Sequence, residues 1–264
     1  MARRPRIKLP GCDVACYHAV TRVNAREFRL DNQLKDKFIQ RLKELKTLYY
    51  VEYGAFSVLD NHYHLLLRFA DPKSIKPEEA IKRWNTYHEG TIFKRNASLE
   101  KHRVYVVKEL TDLSSFMKRL NHHISIRHNK ARDIEGTLWE GRFRSTVVER
   151  GYSVALCAAY IELNAFRASM VRRPEDYAFC SLNYLQTGNK DGLIAQSLIA
   201  EGLGADKDDL KGLLQTYTAL VYASGVRPHK GKAKGLIITE AMRQELKEKG
   251  IMIKAGSLGE RIRE

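Results

Sequence analysis

Seven residues, Asn61-His62-Tyr63-His64-Leu65-Leu66-Leu67, restrict what this chain can fold into more than any other stretch of it. The run follows Asp60-Asn61 and continues to Phe69, so it reads as a strand entered through a tight antiparallel hairpin. Side chains two apart on a strand share a face. His62 and His64 therefore stand together, while Tyr63, Leu65, Leu67 and Phe69 turn into a core. Two imidazoles on one face are half of a metal site. The same pair also suits two solvent-facing or hydrogen-bonded histidines, so the rest of the chain has to decide between them.

The pattern up to this strand is β-α-β-β. Cys16 to Val23 is rich in β-formers, with His18 and Arg22 on one face and Ala19, Thr21 and Val23 on the other. Asp31 or Asn32 caps a helix that repeats Leu34, Phe38, Leu42 and Leu45 and ends near Tyr50. A second strand, 51–59, leads into the hairpin. The polar segment from 71 to about 110, with Pro72 and Pro77, is an insertion carrying a short helix over 78–87. Asp112 then caps a helix that turns Leu113, Phe116, Met117, Leu120 and Ile124 inward. Residues 117–132 hold five Lys or Arg, three His and no acid. One-signed charge of this kind, including Lys118, Arg119 and Arg127, marks either an anion-facing surface or a solvated one.

Gly136 to Arg144 forms a glycine-bounded loop with Trp139 beside Arg142 and Arg144, and the indole is either a stacking platform for a base or a core plug. A strand over 145–149 follows, and then a helix capped by Ser153 that runs to about Phe166. Residues 1–188 read as one catalytic domain. Residues 189–264 read as a basic, helical C-terminal extension, with helices over 193–203, 208–222 and 239–249 and a glycine-broken basic stretch at 229–235. Its composition leaves sequence selection, assembly and covering of a sheet edge equally open.

The 264-residue chain carries 46 Lys and Arg against 31 Asp and Glu, a net charge of +15. A field of this sign calls for a polyanionic partner. Nucleic acid fits better than a membrane, because no apolar run approaches the roughly 20 residues needed to span a bilayer. No apolar segment follows the basic Met1 to Lys8, so the expected location is the cytoplasm, at the nucleoid. Cys12, Cys16, Cys157 and Cys180 lack metal-ligand spacing and read as reduced and mostly buried.

On the Ser153 helix, Tyr160 and Asn164 lie one turn apart on one face. If that face meets the histidine pair, the amide oxygen of Asn164 completes a two-nitrogen, one-oxygen set for a divalent ion, with the phenol of Tyr160 within reach. A buried structural tyrosine is the alternative.

Four segments in order carry a family resemblance: Asp60-Asn-His-Tyr-His-Leu-Leu-Leu67, Gly136-Thr-Leu-Trp-Glu-Gly-Arg-Phe-Arg-Ser145, Ala159-Tyr-Ile-Glu-Leu-Asn-Ala-Phe-Arg-Ala168 and Arg173-Pro-Glu-Asp-Tyr-Ala-Phe-Cys-Ser181. From about residue 16 to 188 the chain resembles the single-tyrosine transposases of the His-hydrophobe-His superfamily, above all the REP-associated tyrosine transposases. That resemblance implies an α+β fold, with a central antiparallel sheet flanked by helices in a ferredoxin-like arrangement. It implies Mg²⁺ or Mn²⁺ held by His62, His64 and Asn164, with Tyr160 as nucleophile. Three positions depart from the family pattern. Leu59-Asp60 stands for Met-Pro, Ala165 follows Asn164 where proline is usual, and a tyrosine fills the hydrophobe slot at 63. None removes a reacting atom.

The implied activity is metal-dependent cleavage of single-stranded DNA near hairpins, through a 5′-phosphotyrosine that a second 3′-hydroxyl resolves. A free phenol with a pKa near 10 needs such help to attack phosphorus at neutral pH. Arg22, Lys118, Arg119, Arg127, Trp139, Arg142 and Arg144 are the candidates for gripping the strand. A protein that binds DNA or RNA hairpins without cutting them is the rival reading. Homodimer and monomer both stay open.

Overall fold

The computed structural model describes residues 15–88, 99–189, 191–226 and 239–251. The basic stretch at 229–235 and Cys12 lie outside them. In chain order the first elements are β1 (Cys16–Arg22), α1 (Asn32–Leu48), β2 (Val51–Val58), β3 (His62–Phe69), α2 (Pro77–Tyr87), α3 (Leu99–Leu110), α4 (Leu113–Arg132) and β4 (Arg144–Val148). The four strands form one antiparallel sheet in the order β2-β3-β1-β4. With α2 and α3 set aside, two β-α-β units interleave in it, the ferredoxin-like arrangement expected from the sequence. The C-terminal part is helical: α5 (Tyr152–Glu162), α6 (Asn164–Arg167), α7 (Ser181–Gln186), α8 (Gln196–Leu203), α9 (Leu210–Gly225) and α10 (Glu240–Glu248).

The chain divides into two compact units, and the division runs through β2 and β3. One comprises Met1–Tyr53, Asp60–Tyr63 and Leu67–Val147; the other comprises Gly54–Leu59, His64–Leu66 and Val148–Glu264.

In the first unit, α1 packs on α4 and supplies buried Leu34, Phe38, Leu42 and Leu45 at the expected helical spacing. Asp31 caps α1 by accepting the Leu34 N–H, and Asp112 caps α4 by accepting that of Ser115. Phe38 lies 4.6 Å from the ring of Tyr63, and Phe116 of α4 meets Tyr49, Tyr53 and Phe69. The hydroxyl of Tyr63 is fully buried and satisfied. Thr21 donates to it at 3.0 Å, and it donates to Asn121 Oδ1 at 2.5 Å. A tyrosine is tolerated in the hydrophobe slot because its polar end closes a hydrogen-bonded triangle instead of facing hydrocarbon.

Helix α3 was not anticipated. Its Val104-Tyr105-Val106-Val107 run has strand-like propensity, and it is helical because Val106, Val107 and Leu110 are buried while α3 lies against α2.

Asp60, where the resemblance leads one to expect proline, has a partner. Lys35 of α1 is buried to 2% exposure, and its Nζ meets Asp60 Oδ1 at 2.5 Å. The acid supplies the countercharge for an ammonium otherwise costly to bury.

In the second unit, α5 packs on α8 and α9. Gly202 of α8 permits the close approach, since a Cβ there would lie 3.0 Å from the backbone nitrogen of Ala155. Glu162, at the end of α5, is fully buried. It accepts hydrogen bonds from Ser181 Oγ at 2.5 Å, the Leu182 N–H at 2.9 Å and the Tyr217 hydroxyl of α9 at 3.0 Å. Burial nonetheless pushes its carboxyl up to about 7. Farther along, Tyr222 donates to Glu175, and Leu246 and Ile251 pack on Tyr222. Arg173 forks onto Glu245 at 2.7 and 2.6 Å. The tail helices thus form part of this unit's core.

Asp60→Asn should lower unfolding free energy by about 2 kcal/mol, the usual worth of a hydrogen bond to a charged group, as read from the urea midpoint. For Glu162 the folded state retains a proton that the unfolded chain releases above its ordinary 4.5, so its contribution is complete below that pH and is lost as pH rises toward 7. The loss is on the order of 3 kcal/mol, and Glu162→Gln should flatten that part of the stability–pH curve.

Candidate active site

Three of the four residues singled out for chemistry belong to the second unit. His64 is buried, at 6% exposure, with its ring edge-on to Tyr160 at 6.0 Å between centroids. Tyr160 stands near the end of α5. The helix capped by Ser153 in the sequence reading instead starts at Tyr152 after Gly151, whose φ of 75° suits glycine, and no side chain caps it. It also does not run unbroken to Phe166. Leu163 has φ −76° and ψ −4°, which separates α5 from α6 without a proline. Asn164, just past this break, donates its Nδ2 to the carbonyls of Tyr160 (3.0 Å) and Ile161 (3.2 Å). Both donors are spent on the helix, which leaves Oδ1 as the end of the amide turned away from it.

The fourth, His62, belongs to the first unit. Its Nδ1 lies 2.6 Å from Asn61 Oδ1. A carbonyl oxygen only accepts, so Nδ1 carries the hydrogen and Nε2 the lone pair, the tautomer a metal ligand needs. Burial, and secondarily the charge of Arg22, holds this imidazole down to about 4. Among the described residues no cluster of three or more His, Cys, Asp or Glu is arranged for a metal. The His62 imidazole, neutral and in this tautomer, has the donor atom that suits a divalent ion.

One residue missed by the sequence reading is Arg167. Its Cζ lies 5.1 Å from the centre of the Tyr160 ring. The signal was its spacing, seven residues after Tyr160 and three after Asn164.

The strand-gripping candidates separate into two sets. Lys118, Arg127, Arg142 and Arg144 are exposed, and Arg22 is partly so. Arg119 instead lies over the ring of Trp84 at 4.9 Å and 3.9 Å from Glu109, which commits it to packing. Of the two roles open to Trp139, the structure gives it that of core plug and not of stacking platform. It is 7% exposed, meets Tyr63 edge-on at 5.6 Å, and donates its indole N–H to the Asn121 carbonyl. A ring buried in this way offers no face to a base. Phe28, on the loop after β1, is 79% exposed. Ala25 (φ 53°) and Arg26 (φ 58°) hold the loop in a strained form, and Asn61 Nδ2 ties it by donating to the Arg26 carbonyl at 3.0 Å.

The sheet thus runs in the order 4-1-3-2 with the histidine pair on an inner strand, and a helical tyrosine lies against one imidazole. Residues 13–107 match the family model described as "Transposase IS200 like". No curated protein matches the chain. Among solved structures, a REP-associated tyrosine transposase bound to a REP hairpin aligns over 72% of this chain and 87% of its own, at 16% identity and a TM-score of 0.45. A candidate transposase from Deinococcus radiodurans R1 aligns over 64% of this chain and 92% of its own, at 15% identity and a TM-score of 0.28. No helix of the described residues is long and apolar enough to cross a membrane.

In an NMR titration His62 should keep its neutral-form signal to well below pH 6 and titrate near pH 4. Arg22→Ala should raise that midpoint while leaving it under 6.5, because burial is the larger cause. A midpoint at the ordinary value in the wild type would show an imidazole open to water.

Proposed function

We propose that this protein is a single-stranded DNA nicking and strand-transfer enzyme of the REP-associated tyrosine transposase kind, with His62, His64 and Asn164 holding Mg²⁺ or Mn²⁺ and Tyr160 as nucleophile. The observation that carries the reading is the edge-on approach of Tyr160 to His64 at 6.0 Å within one compact unit. A structural tyrosine in the core has no need of a histidine partner, whereas a nucleophile must stand beside the group that polarises its target.

The bound ion would withdraw charge from the scissile phosphate and fix its orientation. All three groups would bind as neutral ligands and would leave the ion's positive charge for the phosphate. Asn61 holds His62 in the ligating tautomer, and the backbone of α5 orients Asn164. Tyr160 Oη forms a bond to phosphorus as the bond from phosphorus to the 3′-oxygen breaks. The phenol gives up its proton and the departing 3′-oxygen takes one up. The product, a 5′-phosphotyrosine with a free 3′-hydroxyl, conserves the phosphodiester's energy for rejoining. Arg22, Arg26, Arg142 and Arg144, with Phe28 as a stacking face, are the proposed strand contacts. Lys118 and Arg127 extend the positive surface along α4.

Labelled single-stranded hairpin oligonucleotides incubated with Mg²⁺ or Mn²⁺ should give label that migrates with protein on a denaturing gel. Chelator should abolish the adduct and Tyr160→Phe should not form it. His64→Ala should lose at least a hundredfold, the cost typical of removing one catalytic electrostatic contact. Adduct that survives Tyr160→Phe would place the nucleophile elsewhere. Tight binding with no adduct from any structured substrate would leave recognition without cleavage.

A further inference from the structure

Arg167 is half-buried on α6, and its Nη1 is sealed from solvent without a hydrogen-bond partner among the described residues. No carboxylate pairs with it among those residues. Arg41, Arg68, Arg132 and Arg173 each have one, at 2.8, 2.5, 2.6 and 2.6 Å. Glu162, five residues earlier, is already occupied by Ser181, Leu182 and Tyr217. A buried guanidinium N–H left unmade is among the costlier features a fold can carry, and it calls for an explanation. Burial lowers the pKa of this guanidinium, and the one opposing influence is the Tyr160 phenol. Its Cζ lies 5.1 Å from the centre of the Tyr160 ring, so the cation sits beside the proposed nucleophile and not on a structural acid. The ligand that suits such a group is an oxyanion, and a phosphodiester offers two non-bridging oxygens to a planar fork of donors.

We propose that Arg167 binds the non-bridging oxygens of the phosphate that Tyr160 attacks, and that it stabilises their charge as the Oη–P bond forms and the P–O3′ bond breaks. The inference rests on Tyr160 being the nucleophile, but phosphate binding by Arg167 can be measured without cleavage. In a Tyr160→Phe background, log Kobs for a single-stranded oligonucleotide is followed against log salt concentration. Arg167→Ala should make the slope shallower by about 0.7, the value for one phosphate contact on a single strand, and Arg167→Lys should retain it. With Tyr160 present, single-turnover adduct formation by Arg167→Ala should slow about 10²- to 10³-fold, with partial recovery in Arg167→Lys or on adding guanidinium ion. Recovery by a small cation would not be seen if Arg167 served packing alone. Arg167→Gln substitutes for alanine if that variant fails to fold. A salt slope unchanged in Arg167→Ala overturns the inference whether or not adduct forms. Wild-type protein that forms no adduct, with the slope change intact, would instead overturn the nuclease reading and leave a phosphate-binding arginine.

Discussion

From residue 63 to 67 every side chain of β3 is buried, so both faces of this strand are committed to partners. On one, Tyr63 closes its triangle with Thr21 and Asn121 against Phe38 and Trp139. On the other, His64 meets Tyr160. A slip of one residue would exchange these sets, putting a phenol where the imidazole belongs and an imidazole into hydrocarbon. The register has to be pinned from outside the strand. The backbone of Val23 donates to the Asn61 carbonyl at 2.8 Å, that of Leu30 donates to the Asp60 carbonyl at 2.8 Å, and the Asp60 carboxylate answers buried Lys35. The hairpin that looks like a mere connection is thus what fixes where His62 stands.

The end of α5 is constrained in a comparable way. Tyr160, Glu162 and Asn164 alternate in role over five residues: a ring against His64, a carboxylate taking three donors in the core, and an amide bonded back to its own helix. Glu162 fixes this segment to the start of α7 and to α9, and with them the azimuth of the phenol. The helix break at Leu163 persists with alanine at 165, because it depends on the conformation of Leu163 and not on a ring that blocks hydrogen bonding.

Much of this was legible in the sequence, and the exceptions have physical causes. The β-α-β-β opening, the Asp31 and Asp112 caps and the Tyr160–Asn164 spacing depend on local periodicity and local hydrogen bonds, so they could be read directly. Trp139 and Arg119 could not be assigned by type alone, since an indole or guanidinium looks the same in a list whether it faces a base or the core. Helix α3 was hidden by β-branched residues that only tertiary packing makes helical. The break at Leu163 has no glycine or proline to announce it. Arg167 was legible by spacing, yet nothing in the sequence says that its Nη1 would lack a partner among the described residues.

Tyr217 bears on how such a chain can change over time. Its hydroxyl completes the environment of a carboxylate two residues from the phenol, although it lies more than fifty residues downstream. Helix α9 therefore cannot be exchanged among relatives as a detachable module would be. A lineage that replaced it would have to restore a donor to Glu162 or give up the acid, which ties the inheritance of the terminal helices to that of the tyrosine segment.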